Sequence, residues 1–121
     1  MTQNEKNLLL KDLCARLPYG VKVLYEDDVF NIDYISSMYE EIHLDIVDNY
    51  TIGVSEVKPY LFPLSSMTGR LKAELFNLRI DIEEPFQDTL CEIDFYHRYH
   101  FDYRGLIKKG LAIDATGLNI Y

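Results

Sequence analysis

The sequence predicts an α+β fold: a small SH3-like β-barrel or a curved antiparallel meander, with an N-terminal helix and two or three C-terminal helices. Two observations indicate this class. Apolar residues recur with a helical period at both ends of the chain, and they alternate with polar residues over 20–64. Five short candidate strands joined by tight turns fill that middle part, as is typical of a meander that curls into a small barrel.

The N-terminal helix is predicted over residues 5–17. Leu9, Leu13 and Leu17 recur at i, i+4 and i+8 and form one apolar face. Pro18 disfavours a helical Leu17, so the helix is expected to end there. The opposite, polar face then takes Lys6, Lys11, Asp12 and Arg16.

The β-meander is predicted over 20–64, because the apolar period changes there from 3.6 to 2. The acidic triplet 26–28 supplies the first turn, and His43 falls on the outward face of the third strand. Prolines 59 and 63 make residues 57–64 an extended last edge strand. The inward-facing sets are Val21, Val23 and Tyr25, then Phe30, Ile32 and Tyr34, then Ile42, Leu44 and Ile46.

The remaining part, residues 66–112, is predicted to be helical. Leu71, Leu75 and Leu78 form the apolar stripe of a first helix, with Ser66 or Thr68 as its N-cap. A second helix follows a short linker, and a third, short helix can start at Asp102 and end at Gly110. At 121 residues, the chain is the size of one domain, so 1–121 is predicted to be a single unit.

Composition narrows the possible partners. A net charge of −8 repels phosphate backbones, so nucleic-acid binding is disfavoured, although a basic patch near the C-terminus leaves it open. The N-terminus lacks the pattern of a signal peptide, and no run of about 20 apolar residues suggests a membrane span. Cys14 and Cys91 are expected to be buried free thiols in a reducing cytoplasm.

The stretch from His97 to Leu111 carries the main candidate for chemistry. His97 and His100 are three residues apart and can share a helix face, and Asp102 follows. A catalytic zinc site needs a third protein ligand and an open position, and no HExxH or CxxC motif is present. We therefore expect a half-buried, hydrogen-bonded histidine pair, and no metal, cofactor or catalytic residue is predicted. A metal site at these three residues is the alternative.

Ten tyrosines are the most unusual part of the composition. Tyrosine combines contact area with a polar tip, and protein interfaces favour it. One interpretation is that the tyrosines fill the inside of a small barrel, and the other is that some line a protein-binding face. The predicted interface residues are Tyr25, Tyr34, Tyr39, Tyr50 and Tyr60.

Three segments carry a resemblance: "LPYGVK" at 17–22, "VKPYLFPLSSMT" at 57–68 and "HFDYRGLIKKGLA" at 100–112. Together they resemble a family of small uncharacterised proteins of gut Bacteroidales and their phage-like or mobile elements. The family's tail has two adjacent histidines before "FDYRGLI", whereas this chain has Tyr99 at the first of these positions. The resemblance implies a cytoplasmic protein of bacterial or phage origin and gives no substrate.

Within the third segment, each residue has a structural use. Asp102 can cap the short helix, Arg104 can bind a carboxylate, and Gly105 allows close packing. Together with His100, these residues are predicted to form a structural corner that fastens the C-terminal helices to the sheet.

The predicted function is a non-enzymatic interaction module that binds a protein partner or forms a homo-oligomer. Two alternatives stay open. One is a nucleic-acid-directed accessory protein, or a DNA mimic that acts against host defence through its acidic N-terminal half. The other is a metal-dependent hydrolase that uses His97 and His100.

Overall fold

The chain folds as an N-terminal helix, a mixed β-sheet and a pair of C-terminal helices. The computed structural model describes the backbone of residues 1–45, 51–80 and 85–121. It describes the side chains of the same residues except 79, 80 and 85–89. The helices are α1 (Gln3–Arg16), α2 (Gly69–Ile80) and α3 (Pro85–Arg98). The strands are β1 (Lys22–Tyr25), β2 (Asp28–Ser36), β3 (Glu41–Leu44), β4 (Thr51–Gly53), β5 (Lys58–Pro63), β6 (Phe101–Asp102) and β7 (Ile113–Asp114).

Helix α1 begins with a capping box. The Thr2 hydroxyl accepts a hydrogen bond from the Glu5 backbone, and the Glu5 carboxylate accepts one from the Thr2 backbone. Leu9 and Leu13 are completely buried in the main core, as the predicted apolar face requires. A short 3-10 turn containing Pro18 then carries the chain towards β1.

The sheet is mixed and does not close among the described strands. Its order is β4-β3-β2-β1-β5-β6, with β7 also paired to β5. Strands β1 to β4 form an antiparallel meander, β5 returns antiparallel to β1, and β6 and β7 both run parallel to β5. The predicted α+β class is confirmed, but the SH3-like barrel is not supported. The prediction of a purely antiparallel sheet is wrong for β6 and β7, which run parallel to β5. Helices α2 and α3 connect β5 to β6 and make this parallel pairing possible.

The predicted alternation in β2 breaks at a register shift between Ile32 and Tyr34. Ile32 points into the core, whereas Tyr34 is 55% exposed. The Tyr34 ring stacks on the imidazole of His43, with ring centroids 4.4 Å apart and planes at 9°. His43 is therefore buried beneath a tyrosine, and the prediction that it faces outward is wrong.

The C-terminal part contains two of the expected helices, and the Thr68 hydroxyl accepts from the Leu71 backbone at the start of α2. The possible third helix is absent: residues 103–110 form turns that follow β6. Both cysteines are free, but the expected burial is wrong, because Cys14 is exposed and Cys91 is half-buried. No helix in the described residues is long and apolar enough to cross a membrane.

Candidate functional site

The predicted structural corner lies where α3 ends and β6 begins. His97 occupies the last turn of α3, and the helix stops at Arg98. His100 follows with a left-handed backbone, φ 62°. The prediction that His97 and His100 share one helix face is therefore wrong, because the chain turns between them.

Asp102 uses both carboxylate oxygens inside the corner. Oδ1 accepts the Leu106 N–H at 3.0 Å, and Oδ2 accepts the Ile107 N–H at 2.9 Å. The carboxylate thus holds the turn that follows it, although no helix forms there. Gly105 lies within this turn at φ 74°, a conformation that glycine adopts without steric cost.

Arg104 reaches back to helix α1 and binds a buried carboxylate. Its Nε lies 3.0 Å from Asp12 Oδ1, while Arg16 Nε lies 2.7 Å from Asp12 Oδ2. Asp12 and Arg16 are fully buried, and Arg16 Nη2 also donates to the Phe101 carbonyl at 2.6 Å. A single carboxylate therefore joins α1 to the chain that follows α3.

Sequence reasoning missed Asp12 and Arg16, because both were placed on the solvent side of α1. Their spacing of i, i+4 was the available signal, since it brings an acidic and a basic side chain together on one helix face. Nothing in the local pattern shows that this face is covered by a segment from the other end of the chain.

Tyr103 connects the two arginines to His97. Its hydroxyl lies 2.6 Å from His97 Nε2 and accepts a hydrogen bond from Arg104 Nη2 at 3.0 Å. The guanidinium carbons of Arg16 and Arg104 lie 5.4 and 4.9 Å from the centre of the Tyr103 ring. Burial, with a further contribution from the Arg16 charge, lowers the pKa of His97. The direction of the hydrogen bond between His97 Nε2 and the Tyr103 hydroxyl depends on the imidazole tautomer.

The ring of Tyr121 packs against the imidazole of His100. The two rings are stacked, with centroids 3.6 Å apart and an interplanar angle of 11°. The Tyr121 hydroxyl donates to the Tyr60 carbonyl at 2.7 Å and accepts from the Lys22 backbone at 2.9 Å. Burial, followed by the Arg16 and Lys22 charges, lowers the pKa of His100 to about 4. Burial likewise raises the pKa of Tyr121 to about 12.

The suggested metal ligands His97, His100 and Asp102 do not converge. His97 is bound to Tyr103, and the Asp102 oxygens are bound to backbone N–H groups. Within the described part of the chain, no group of three His, Cys, Asp or Glu side chains is placed to hold a metal ion. Most polar groups of the corner therefore bind other groups of the same chain, but Arg16 Nη1 and His100 Nδ1 are buried without a hydrogen-bond partner among the described residues. The prediction of a hydrogen-bonded histidine pair is confirmed for His97 and wrong for His100.

The five predicted interface tyrosines do not share one face. Tyr25 and Tyr60 are buried, at 8% and 7% exposure, whereas Tyr34 and Tyr39 are 55% and 71% exposed. Tyr50 lies outside the described residues. The prediction of one tyrosine-rich surface is thus wrong for these two residues: Tyr25 lies on the inward face of β1, and Tyr60 lies in a run of three buried residues in β5, which has strands on both sides.

Tyr34, Met38 and Tyr39 together define what we call the hairpin surface, on β2 and the turn that leads to β3. Met38 is 82% exposed, which sequence reasoning missed because it considered only aromatic residues. An apolar residue in a hairpin turn was the available signal, since such turns favour polar residues. The Glu40 carbonyl accepts the Val54 N–H at 2.9 Å, and the Gln3 amide donates to the Glu40 carboxylate. The turn is therefore tied to both α1 and the 3-10 helix after β4.

Comparison with known proteins adds no assignment: no family model matches the chain, and no curated protein or solved structure matches it. The resemblance to the Bacteroidales family therefore stays a prediction.

Proposed function

We propose that this protein is a non-enzymatic interaction module that binds a partner protein through the hairpin surface. The observation that carries the proposal is the exposure of three large side chains, Tyr34, Met38 and Tyr39, within the β2–β3 hairpin. Aromatic residues and methionine are enriched in protein interfaces relative to the remaining surface. Removing such side chains from water on binding stabilises a complex.

The location of the hairpin surface supports this function. Its turn is anchored to α1 and to Val54, so a partner would meet a largely preformed surface. In the corner, in contrast, His97, Asp12 and the two arginines form hydrogen bonds with other groups of the same chain. This arrangement supports a binding role over a catalytic one.

The cellular setting is part of the proposal. The free thiols of Cys14 and Cys91 and the resemblance to the Bacteroidales family favour a cytoplasmic protein of bacterial or phage-like origin. The partner is expected to be a protein of the same cytoplasm. Self-association is the competing outcome, which light scattering of the purified protein distinguishes.

The test compares capture of proteins from a bacterial lysate by the wild type and by Met38→Ser and Tyr39→Ser. Both variants should lose the captured partner while keeping the wild-type unfolding temperature, because these side chains contribute little to the core. Phe76→Ser is the matched control, since Phe76 is 61% exposed on α2, away from the hairpin. Loss of capture with Phe76→Ser but not with the hairpin variants would contradict the proposal.

A further inference from the structure

The side chain of Tyr121 fills a cleft built by four groups from three distant parts of the chain. Its ring stacks on the His100 imidazole, with centroids 3.6 Å apart, and lies 6.0 Å from the Phe62 ring. Its hydroxyl accepts a hydrogen bond from the Lys22 N–H at 2.9 Å and donates one to the Tyr60 carbonyl at 2.7 Å. We call the two rings, the N–H group and the carbonyl the tyrosine cleft.

The tyrosine cleft is selective for a phenol. The hydroxyl uses its proton on a carbonyl and a lone pair on an N–H group, whereas phenylalanine would leave both backbone groups without these hydrogen bonds. The Lys22 ammonium donates to the Ile120 carbonyl at 3.1 Å, so the carbonyl that precedes the tyrosine is bound as well. None of these contacts requires the tyrosine to belong to the same chain.

The segment that carries Tyr121, residues 116–121, is exposed along most of its length, and we call it the strap. It follows Ala115, which is buried, and it forms no helix or strand. Residues 116–119 are exposed, and the Leu118 N–H donates to the Ala115 carbonyl within the same turn. Segments with few buried contacts and an exposed backbone open at a low free energy. We therefore expect the strap to open while the remaining fold stays intact.

The cleft also contains a polar atom that Tyr121 does not use. His100 Nδ1 is buried without a hydrogen-bond partner among the described residues. Buried polar atoms nearly always have a partner, so this nitrogen is an exception that the fold leaves unexplained. An occupant that brought a polar group to this nitrogen would make one hydrogen bond more than Tyr121 makes.

We propose that the tyrosine cleft binds a tyrosine residue of another protein, and that Tyr121 occupies the cleft as an internal competitor until that protein binds. The cleft shares no residue with the hairpin surface, so this inference does not depend on the proposed function. Because the strap is short, the effective concentration of Tyr121 at the cleft is on the order of millimolar. The incoming tyrosine displaces it with the help of further contacts made by its own chain.

A second copy of this chain fits the cleft less well than a different protein does. It would offer the same strap, so an exchange between two copies would gain no contact at the cleft. The exchange would still cost the translational and rotational freedom that every association removes. A different protein, in contrast, is able to add contacts beyond those of the strap.

The test is a calorimetric titration of the full chain with N-acetyl-tyrosinamide, whose acetyl group supplies the carbonyl that precedes the tyrosine. Tyr121→Ala should bind this compound about tenfold or more tightly than the wild type, because the internal competitor is gone. N-acetyl-phenylalaninamide should bind the same variant about tenfold more weakly, because it lacks the hydroxyl. Equal affinity of the two compounds, equal affinity of wild type and variant, or no binding to the folded variant would overturn the inference.

Tyr34→Ala is the matched control, because Tyr34 also stacks on a histidine, with centroids 4.4 Å apart. This variant removes the same kind of ring but leaves the tyrosine cleft filled, so its affinity for N-acetyl-tyrosinamide should equal that of the wild type. A gain as large as that of Tyr121→Ala would show unspecific stacking on an uncovered imidazole and contradict the inference. A wild-type dimer that Tyr121→Ala converts to a monomer would assign the cleft to a second copy, which also contradicts it.

Hydrogen exchange followed by NMR tests the strap in the wild type, and it applies even if Tyr121→Ala does not fold. The Lys22 N–H is bonded to the Tyr121 hydroxyl and should exchange whenever the strap opens. The Leu106 N–H is bonded to Asp102 in the buried corner and should exchange only on wider unfolding. After correction for intrinsic rates, Lys22 should exchange about 100-fold faster or more. Equal rates would show that Tyr121 leaves only when the protein unfolds, and the inference would fail.

Discussion

The structural corner and the β1–β2 turn use charged residues in opposite ways. In the corner, Asp12 and Arg16 are fully buried and bound to each other, and Arg104 completes the set. In the β1–β2 turn, Glu26 and Asp27 are exposed, with φ values of 47° and 68°. The corner has His100 and Gly105 at its left-handed positions, whereas this turn has two acidic residues. Charge thus serves the fold in the corner, whereas the acidic residues of the turn face solvent.

Removing Asp12 should break the corner most severely. Asp12→Ala leaves the buried Arg16 guanidinium without its carboxylate and detaches Arg104. We expect a loss of about 3–5 kcal/mol in unfolding free energy, the cost of removing one partner of a buried ion pair. Urea unfolding, monitored by circular dichroism, measures this loss. Asp94→Ala on the exposed face of α3 is the control, and an equal loss in both variants would refute the role of Asp12.

Acid should weaken the corner through its histidines. The folded-state pKa values of His97 and His100 are lowered by burial, so the unfolded chain binds more protons below a pH of about 6.5. Stability should therefore fall from pH 6.5 towards pH 4. His100 contributes about 2 kcal/mol after allowance for its partial exposure to solvent.

Thermal unfolding across this pH range measures the effect. Glutamine cannot be protonated in this range, so His100→Gln should flatten the profile, and its difference from the wild type gives the contribution of His100. Parallel profiles for the two proteins would show that His100 does not titrate as expected.

Glycine 105 gives a smaller test of the same corner. No atom outside its immediate neighbours lies within 4 Å of an added Cβ, so space does not exclude a side chain. The φ of 74° does disfavour one, and Gly105→Ala should therefore cost about 1 kcal/mol. Denaturant titration checks this value, and an unchanged midpoint would show that the turn can relax.

The smallest expected effect has the opposite sign and lies in the β1–β2 turn. Asp27→Gly should raise the unfolding free energy by about 0.5–1 kcal/mol, since a left-handed aspartate is replaced by a residue without Cβ. The same denaturant titration, with Gly105→Ala alongside, gives the two signs in one experiment. Destabilisation by both changes would remove the contrast between the two regions.

Local patterns predicted the elements better than their assembly. The apolar spacing of Leu9 and Leu13 was enough for α1, and the alternation of Val23 and Tyr25 was enough for β1. The sequence contains no local pattern that predicts the parallel pairing of β6 and β7 with β5, because β6 and β7 have only two residues each. Their places depend on contacts with a distant part of the chain.

The candidate site was predictable to a similar extent. The roles of Asp102 and Arg104 in the corner follow from side-chain chemistry, and both make the kinds of contact that their chemistry suggests. Burial of Asp12 and Arg16 did not follow, since it depends on which segment covers α1. The exposure of Tyr34 did not follow either, because a register shift in β2 reverses its direction.

The parallel pairs on β5 also bear on the order of folding. Hairpins such as β1–β2 join neighbouring residues and close quickly, whereas β5 meets β6 and β7 only after the α2–α3 pair has been spanned. The meander is therefore expected to form early and the C-terminal strands to add late. During synthesis on the ribosome, one edge of β5 would then stay unpaired until residues 101–114 emerge, which makes β5 the segment most exposed to mispairing with another chain.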